Sequence, residues 1–192
     1  DESFTEIRKH EVLKKEGLIV EYEDSMSAPV LVCSHTWLRR SAPDNSQHVK
    51  LTLLKSVLRR AVEGSLGNLS PHWLTAMAYK EESAALHLQA DDLRKLNEGY
   101  VFFDYMSIPQ EDREAQGRAI ASLVSYVSSS AYLMCLGGPW THEDFGDARD
   151  DLAWSGRGWC RMELAANALS LVTKPMILAC SPSRVVMLPP GG

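Results

Sequence analysis

Four short apolar runs predict buried strands along the chain. Each run lacks the polar alternation of a half-exposed strand, and such runs are typical of the central strands of a parallel sheet that is covered on both faces. An earlier run, residues 18–22, alternates with charged residues and could form a further strand at an edge of the sheet. The four runs are residues 28–34, 100–105, 131–136 and 175–180.

Between the runs, the spacing of apolar residues predicts three helices. Residues 51–62 carry an apolar stripe at helical spacing, with lysines and arginines on the other face. Residues 111–128 begin with two acidic residues after a proline, as a helix amino end commonly does, and residues 159–169 form the third helix. Strands that alternate with helices predict an α/β fold with a doubly wound, mainly parallel sheet of about five strands.

Two longer connections interrupt this alternation. Residues 64–98 are too long for a simple connection, and residues 83–96 have a helical pattern, so we expect a helical insertion. Residues 140–157 are rich in Asp and Gly with few residues suited to packing. Loops of that length in a compact domain are usually functional, and this one is a candidate lid. The chain is expected to form a single domain, with its core at about residues 28–181.

Composition narrows the possible partners and the compartment. The net charge of −5 provides no basic surface for nucleic acid or membranes, and no apolar run approaches the roughly 20 residues that span a bilayer. Of the four cysteines, Cys33, Cys135 and Cys180 lie in or at the end of the predicted strands. This distribution favours reduced core thiols in a cytoplasmic protein over disulfides or a metal site.

Polar and aromatic residues gather at three points where strands end or helices begin. These are residues 34–40 after the first buried strand, residues 104–110 after the second, and residues 159–163 at the start of the third helix. In a doubly wound sheet such positions converge on one edge, where ligands bind. Glu163 is predicted to lie in the first turn of its helix, where the helix dipole favours an ionised carboxylate. Such an acid could stabilise positive charge on a bound molecule.

The residues at these three points resemble a known family. Trp159-Cys160-x-x-Glu163-Leu164 matches the Trp-Cys-x-x-Glu-Leu motif of Toll/interleukin-1 receptor (TIR) domains. The run Asp104-x-x-x-Ile108-x-Gln110-x-Asp112 is similar to that of the related fungal heterokaryon-incompatibility (HET) domains, as is the sequence of residues 131–137. Residues 32–37 are similar to the start of both families. The resemblance covers residues 28–181 in order, with residues 64–98 as its main gap.

The resemblance implies a flavodoxin-like three-layer sandwich and one of two activities. Some TIR domains cleave the nicotinamide–ribose bond of NAD in immune or cell-death signalling, and Glu163 would then be the catalytic acid. NAD would be the substrate, with no further cofactor and no metal. Others only self-associate in signalling, here through residues 107–113. The residues of the three clusters that are expected to bind substrate are Ser34, His35, Trp37, Arg39, Arg40, Asp104, Tyr105, Trp159 and Cys160.

The chemistry suits these residue types, although each also has an ordinary structural role. Departure of neutral nicotinamide leaves an oxocarbenium-like ribose that a carboxylate stabilises. Trp37 or Trp159 could stack on a ring, and Arg39 or Arg40 could contact the diphosphate. In the alternative interpretation, Glu163 is an ordinary acid at the start of a helix, Trp37 and Trp159 are packing residues, and Arg39 and Arg40 are solvated loop charges. Base exchange on nucleosides, which uses a glutamate in the same fold, is a third alternative.

Overall fold

A five-stranded, mostly parallel sheet forms the centre of the protein in a computed structural model that describes residues 3–71, 87–172 and 174–188. The strands are β1 (Val30–His35), β2 (Tyr100–Phe103), β3 (Tyr132–Leu136), β4 (Met176–Ser181) and β5 (Arg184–Leu188). Their order in the sheet is β2-β1-β3-β4-β5. Strands β1 to β4 run parallel, and β5 pairs antiparallel with β4.

Helices cover both faces of the sheet. The helices are α1 (His10–Lys15), α2 (Val49–Glu63), α3 (Ala90–Arg94), α4 (Asp104–Ser107), α5 (Arg113–Ala121), α6 (Leu123–Ser129), α7 (Asp151–Ser155) and α8 (Gly158–Ala168), and a 3₁₀ turn, Lys95–Glu98, follows α3. On β1, Leu31 and Cys33 pack in one cluster with α2, and Val32 packs in a second cluster with α6 and α8. This alternation of buried side chains makes a three-layer sandwich in the flavodoxin-like strand order.

The α/β fold predicted from the sequence is confirmed, and each of the four apolar runs contains a strand, but only β1, β3 and β4 are buried as expected. β2 lies at the edge of the sheet with Tyr100 and Val101 exposed, and it ends at Phe103 because α4 begins at Asp104. The possible strand at residues 18–22 is wrong. That segment is irregular, and Val20 and Tyr22 are exposed. It lines an apolar cavity of about 570 Å³ beside the edge strand β2 instead of pairing with it. The fifth strand is β5, which follows β4 through a turn in which Ser181 Oγ accepts from the Arg184 amide at 3.0 Å. The sheet therefore extends beyond residue 181.

The helix predicted at residues 111–128 is two helices. α5 begins at Arg113 because the Asp112 side chain caps it, accepting from the Glu114 and Ala115 amides at 3.0 Å each. It ends at Ser122, whose hydroxyl donates to the Arg118 carbonyl at 3.0 Å.

Both long connections contain ordered structure. In the expected insertion, Leu69 and Leu88 form an antiparallel bridge, and Leu93 of α3 is buried in the core. Residues 72–86, which include the start of the helix expected at 83–96, lie outside the described residues. In residues 140–157, His142 and Trp154 are buried, so this connection packs more closely than its composition indicates. Its role as a lid stays a prediction. Within the described ranges, no helix has both the length and the apolar character needed to cross a membrane.

Candidate functional site

The carboxyl ends of β1 and β2 bring His35 and Asp104 together. The parallel register pairs Cys33 with Phe103, so the residues that follow each strand lie side by side. His35 Nε2 is 2.8 Å from Asp104 Oδ1, and the imidazole stacks on Phe103 with 4.2 Å between ring centroids. The His35 side chain is 1% exposed and that of Asp104 is 25% exposed, so only the carboxylate reaches solvent.

Asp104 is held as an anion. Burial raises its pKa, but the His35 interaction, the Tyr105 amide that donates to Oδ1 at 2.6 Å, and a hydrogen bond from the Trp37 side chain bring the pKa below its ordinary value. Hydrogen bonds to the charged form favour it, and here they outweigh desolvation. A fixed negative charge therefore stands at the carboxyl edge of the sheet.

A pocket of about 270 Å³ opens at this carboxylate. It presents a negative charge from Asp104, a positive charge from Arg157 and the two indoles of Trp37 and Trp159. This volume is close to that of the smallest ligand pockets, which are about 300 Å³. The lining residues are His35, Trp37, Asp104, Ile108, Gln110, Gln116, Ile120, Arg157 and Trp159.

Glu163 lies behind the wall of this pocket. It is 4% exposed and its Oε2 accepts a hydrogen bond from the hydroxyl of Ser34, which is fully buried. Ser34 Oγ in turn accepts from Trp154 Nε1 at 2.8 Å. Trp159, which lines the pocket, also hydrogen-bonds to Glu163. The indole of Trp159 thus connects the buried carboxyl group with the open pocket.

The expectation that the helix dipole keeps Glu163 ionised is wrong. α8 begins at Gly158, which places Glu163 in the second turn, beyond the range over which the dipole acts. Burial raises the pKa of Glu163 to about 8 and the charge of Asp104 adds to this, against hydrogen bonds from Ser34 and Trp159 that lower it. The carboxyl group is therefore mainly neutral at pH 7.

Arg39 and Arg40 lie apart from the pocket lining and hold two loops together. Arg39 Nε donates to the Asp44 carbonyl at 2.8 Å and is 3.3 Å from Glu143 Oε2. The Arg40 amide donates to Asp144 Oδ2 at 2.8 Å, and its guanidinium lies 5.4 Å from the centroid of the Phe145 ring. These contacts fasten the loop after β1 to the predicted lid.

Tyr105 and Cys160 are packing residues in this structure. Tyr105 meets Trp37 edge to face, with 5.6 Å between ring centroids, and is 9% exposed. Cys160 is fully buried with its Sγ 3.8 Å from the His35 carbonyl, and burial raises the pKa of the thiol to about 12. A buried, protonated thiol neither contacts a ligand nor acts as a nucleophile.

Of the residues expected to bind substrate, the structure brings His35, Trp37, Asp104 and Trp159 to one pocket and places Ser34 with Glu163 behind it. Sequence reasoning missed Arg157, although it directly precedes the helix that carries the motif. It placed Gln110 in a strand-end cluster without assigning it to the site, and it missed Gln116 in the pocket wall. It also missed two buried residues, Lys50 beside His35 and Trp154 beside Ser34. Lys50 directly precedes the helix predicted at residues 51–62, and no sequence pattern marks it as a buried cation.

Within the described ranges, no three His, Cys, Asp or Glu side chains gather as they would around a metal ion. Comparisons with known proteins add no constraint: no family model, no curated protein and no solved structure matches this chain.

Proposed function

We propose that the protein is a TIR-like hydrolase that cleaves the nicotinamide–ribosyl bond of NAD in cytoplasmic signalling of the immune or cell-death type. The observation that carries this proposal is that two carboxyl groups, those of Asp104 and Glu163, lie at the same pocket on the carboxyl edge of the sheet. Asp104 opens into a charged, aromatic pocket, and Glu163 lies directly behind the Trp159 side chain of that pocket.

The pocket is complementary to the nicotinamide end of NAD. The pyridinium ring is cationic and the adjoining phosphate is anionic, which matches the negative charge of Asp104 and the positive charge of Arg157. Trp37 and Trp159 offer faces for stacking a ring. A volume of about 270 Å³ accommodates one end of the dinucleotide, so the adenosine end would extend outside.

In the proposed reaction, Glu163 stabilises the oxocarbenium-like ribose as neutral nicotinamide departs. Only the ionised carboxylate can do this. The group must therefore lose its proton and gain access to the pocket, and displacement of the Trp159 indole would provide that access. Water then adds to the ribosyl cation, yielding ADP-ribose and one proton.

In this proposal, the loop at residues 107–113 controls this step through the pocket wall. Gln110 lines the pocket, and Glu11 Oε1 of α1 accepts from the Gln110 and Glu111 amides at 2.6 and 3.0 Å. Self-association through this loop would change the pocket wall directly. The proposal therefore couples assembly to catalysis.

Incubation with NAD at increasing protein concentration and in a crowding agent, with nicotinamide release as the readout, tests the proposal. We expect release that increases with protein concentration and is lost in Glu163→Ala. Glu114→Gln, an exposed acid on α5, serves as a control that should release nicotinamide like the unmodified protein. Release that is absent under all conditions, or equal in Glu163→Ala, would overturn the assignment.

The burial of Glu163 favours a second candidate function, a TIR-like self-association module without catalysis. In that case the Ser34–Glu163 pair only stabilises the fold, and the loop at residues 107–113 supplies the contact. Concentration-dependent oligomers that Gln110→Ala disrupts, with no nicotinamide release at any concentration, would support this module.

Base exchange on nucleosides is the third alternative. If free nucleosides exchange bases while NAD stays intact, base exchange replaces both other functions.

A further inference from the structure

A fully buried lysine stands behind the His35–Asp104 pair. Lys50, near the start of α2, has no exposed surface. Its Nζ donates to the carbonyls of Thr36 and Pro43, the latter at 3.0 Å, and lies 3.4 Å from His35 Nδ1. The Trp140 ring centroid is 5.6 Å from the same nitrogen. An ammonium group has three N–H donors, and the two carbonyls and His35 Nδ1 provide one acceptor for each of them.

The two ring nitrogens of His35 face groups of opposite kind. At Nε2, the Asp104 carboxylate only accepts, so Nε2 carries a proton. At Nδ1, the Lys50 ammonium only donates, so Nδ1 must accept and carry none. The Thr36 carbonyl, 3.3 Å from Nδ1, has a second lone pair and could accept a hydrogen bond from an N–H at Nδ1, but that N–H would then stand against the ammonium hydrogens of Lys50. The contacts therefore select the neutral Nε2–H imidazole.

We infer that Lys50 is a positioning residue that holds His35 in the neutral Nε2–H form and so leaves the full negative charge of Asp104 to a cationic ligand group in the pocket. If His35 were an imidazolium, it would neutralise Asp104. The identity of the ligand, a pyridinium ring, rests on the proposed function. The role of Lys50 does not.

Several other charged or titratable groups surround the His35–Asp104 pair. They are Arg157 in the pocket wall, Glu163 reached through Ser34, Cys160 with its Sγ 3.8 Å from the His35 carbonyl, and Asp44, whose carboxylate accepts from the Lys50 and Leu51 amides at 3.0 Å each. Burial lowers the pKa of Lys50 to about 7, while the charges of Asp44 and Asp104 raise it. The ammonium form is therefore well populated slightly below neutral pH.

Nitrogen NMR of ¹⁵N-histidine-labelled protein at pH 6.5 tests the inference without any ligand. In the unmodified protein, we expect His35 with a proton on Nε2 and none on Nδ1. In Lys50→Met, Nδ1 gains a proton, donates to Thr36 and pairs as an imidazolium with Asp104. Lys50→Arg, which keeps the charge and the donors, should retain the unprotonated Nδ1.

A proton on Nδ1 in the unmodified protein overturns the inference, and this measurement needs no variant to fold. An unchanged spectrum in a folded Lys50→Met also overturns it, because a lysine that only stabilises the fold would alter the unfolding temperature and leave the His35 protons in place.

The ligand class is tested with two probes, 1-methylnicotinamide as the cationic ring and nicotinamide as its neutral counterpart. We expect the unmodified protein to prefer the cation by about fivefold, the worth of one partly exposed charge pair. Lys50→Met and Asp104→Asn should each lose that preference. A protein that prefers neither ring overturns the cationic ligand and counts against the proposed function, while the NMR spectrum still decides the role of Lys50.

Discussion

Ser34, near the end of β1, donates its hydroxyl hydrogen to Oε2 of Glu163 on α8, across 129 positions of sequence. The same oxygen of Ser34 accepts from the Trp154 indole at 2.8 Å. One buried hydroxyl therefore joins the first strand, the predicted lid and the helix that carries the family-like motif. The two hydrogen bonds of Ser34 should therefore contribute to the free energy of unfolding, which is measured without an enzymatic assay.

Ser34→Ala should lower the free energy of unfolding by about 2 to 4 kcal/mol, because it leaves both the Trp154 N–H and the Glu163 carboxyl group buried without this partner. Ser130→Ala is the matched control, since Ser130 is 3% exposed and its hydroxyl donates only to the Val127 carbonyl, which also accepts the Ser130 amide. The control should cost about 1 kcal/mol. Urea unfolding measures both, and equal losses would contradict a central role for Ser34.

Glu163→Gln should stabilise the protein increasingly as the pH rises. The pKa of Glu163 is raised from 4.5 to about 8 by burial, so the folded state retains a proton that the unfolded state releases. The contribution of this proton is fully present below pH 4.5, declines between pH 4.5 and about 8, and is constant above that.

The glutamine variant has no such proton to lose. Its stability relative to the unmodified protein should be nearly equal at pH 4 and higher by roughly 3 to 5 kcal/mol at pH 9. Urea unfolding at several pH values measures this difference, in which the other titrating groups cancel. A difference that does not change with pH would show that the folded protein holds Glu163 as an ordinary carboxylate.

If the protein cleaves NAD, the rate should increase with pH up to about 8 and then level off, because only the ionised form of Glu163 stabilises the ribosyl cation. Initial rates of nicotinamide release at saturating NAD between pH 5.5 and 9.5 give this profile. A rate that is already maximal at pH 6 would mean that a group of ordinary acidity performs the chemistry.

All four cysteines should resist alkylation in the folded protein. They are free, and the most exposed of them, Cys180, is only 7% exposed. Burial raises the pKa of each thiol, which leaves little of the reactive thiolate. Iodoacetamide followed by mass spectrometry should add no label to the native protein and four labels after unfolding in urea. Rapid native labelling of Cys160 would reveal an open site.

Asp112→Ala should cost about 1 kcal/mol of stability, because Asp112 caps α5 through two backbone amides. α5 carries Gln116 and Ile120 of the pocket wall, so the variant should also weaken the binding of any pocket ligand. Glu114→Ala is the control, since this residue is exposed and its side chain pairs, among the residues that the structure describes, with Arg118 on the same helix. Thermal unfolding of the two variants should differ by several degrees, and equal stability would mean that the cap is dispensable.

The sequence alone determined the order and type of the main elements. Runs such as residues 131–136 are apolar throughout because both faces of the strand are covered, and that pattern is local. The sequence also located the three clusters of polar and aromatic residues at the sheet edge, because parallel strands place their carboxyl ends together. It did not predict β5, whose short run of apolar residues becomes a strand only by pairing with the free edge of β4.

Only the tertiary structure decided what each polar residue does. Arg39 and Arg157 are both loop arginines near the predicted site, yet one fastens two loops and the other lines the pocket. The protonation of Glu163 and the burial of Lys50 depend on the loss of water around them, which residues distant in the chain bring about. Periodicity reports which face of an element is apolar, whereas desolvation and charge depend on neighbours that the fold alone assembles.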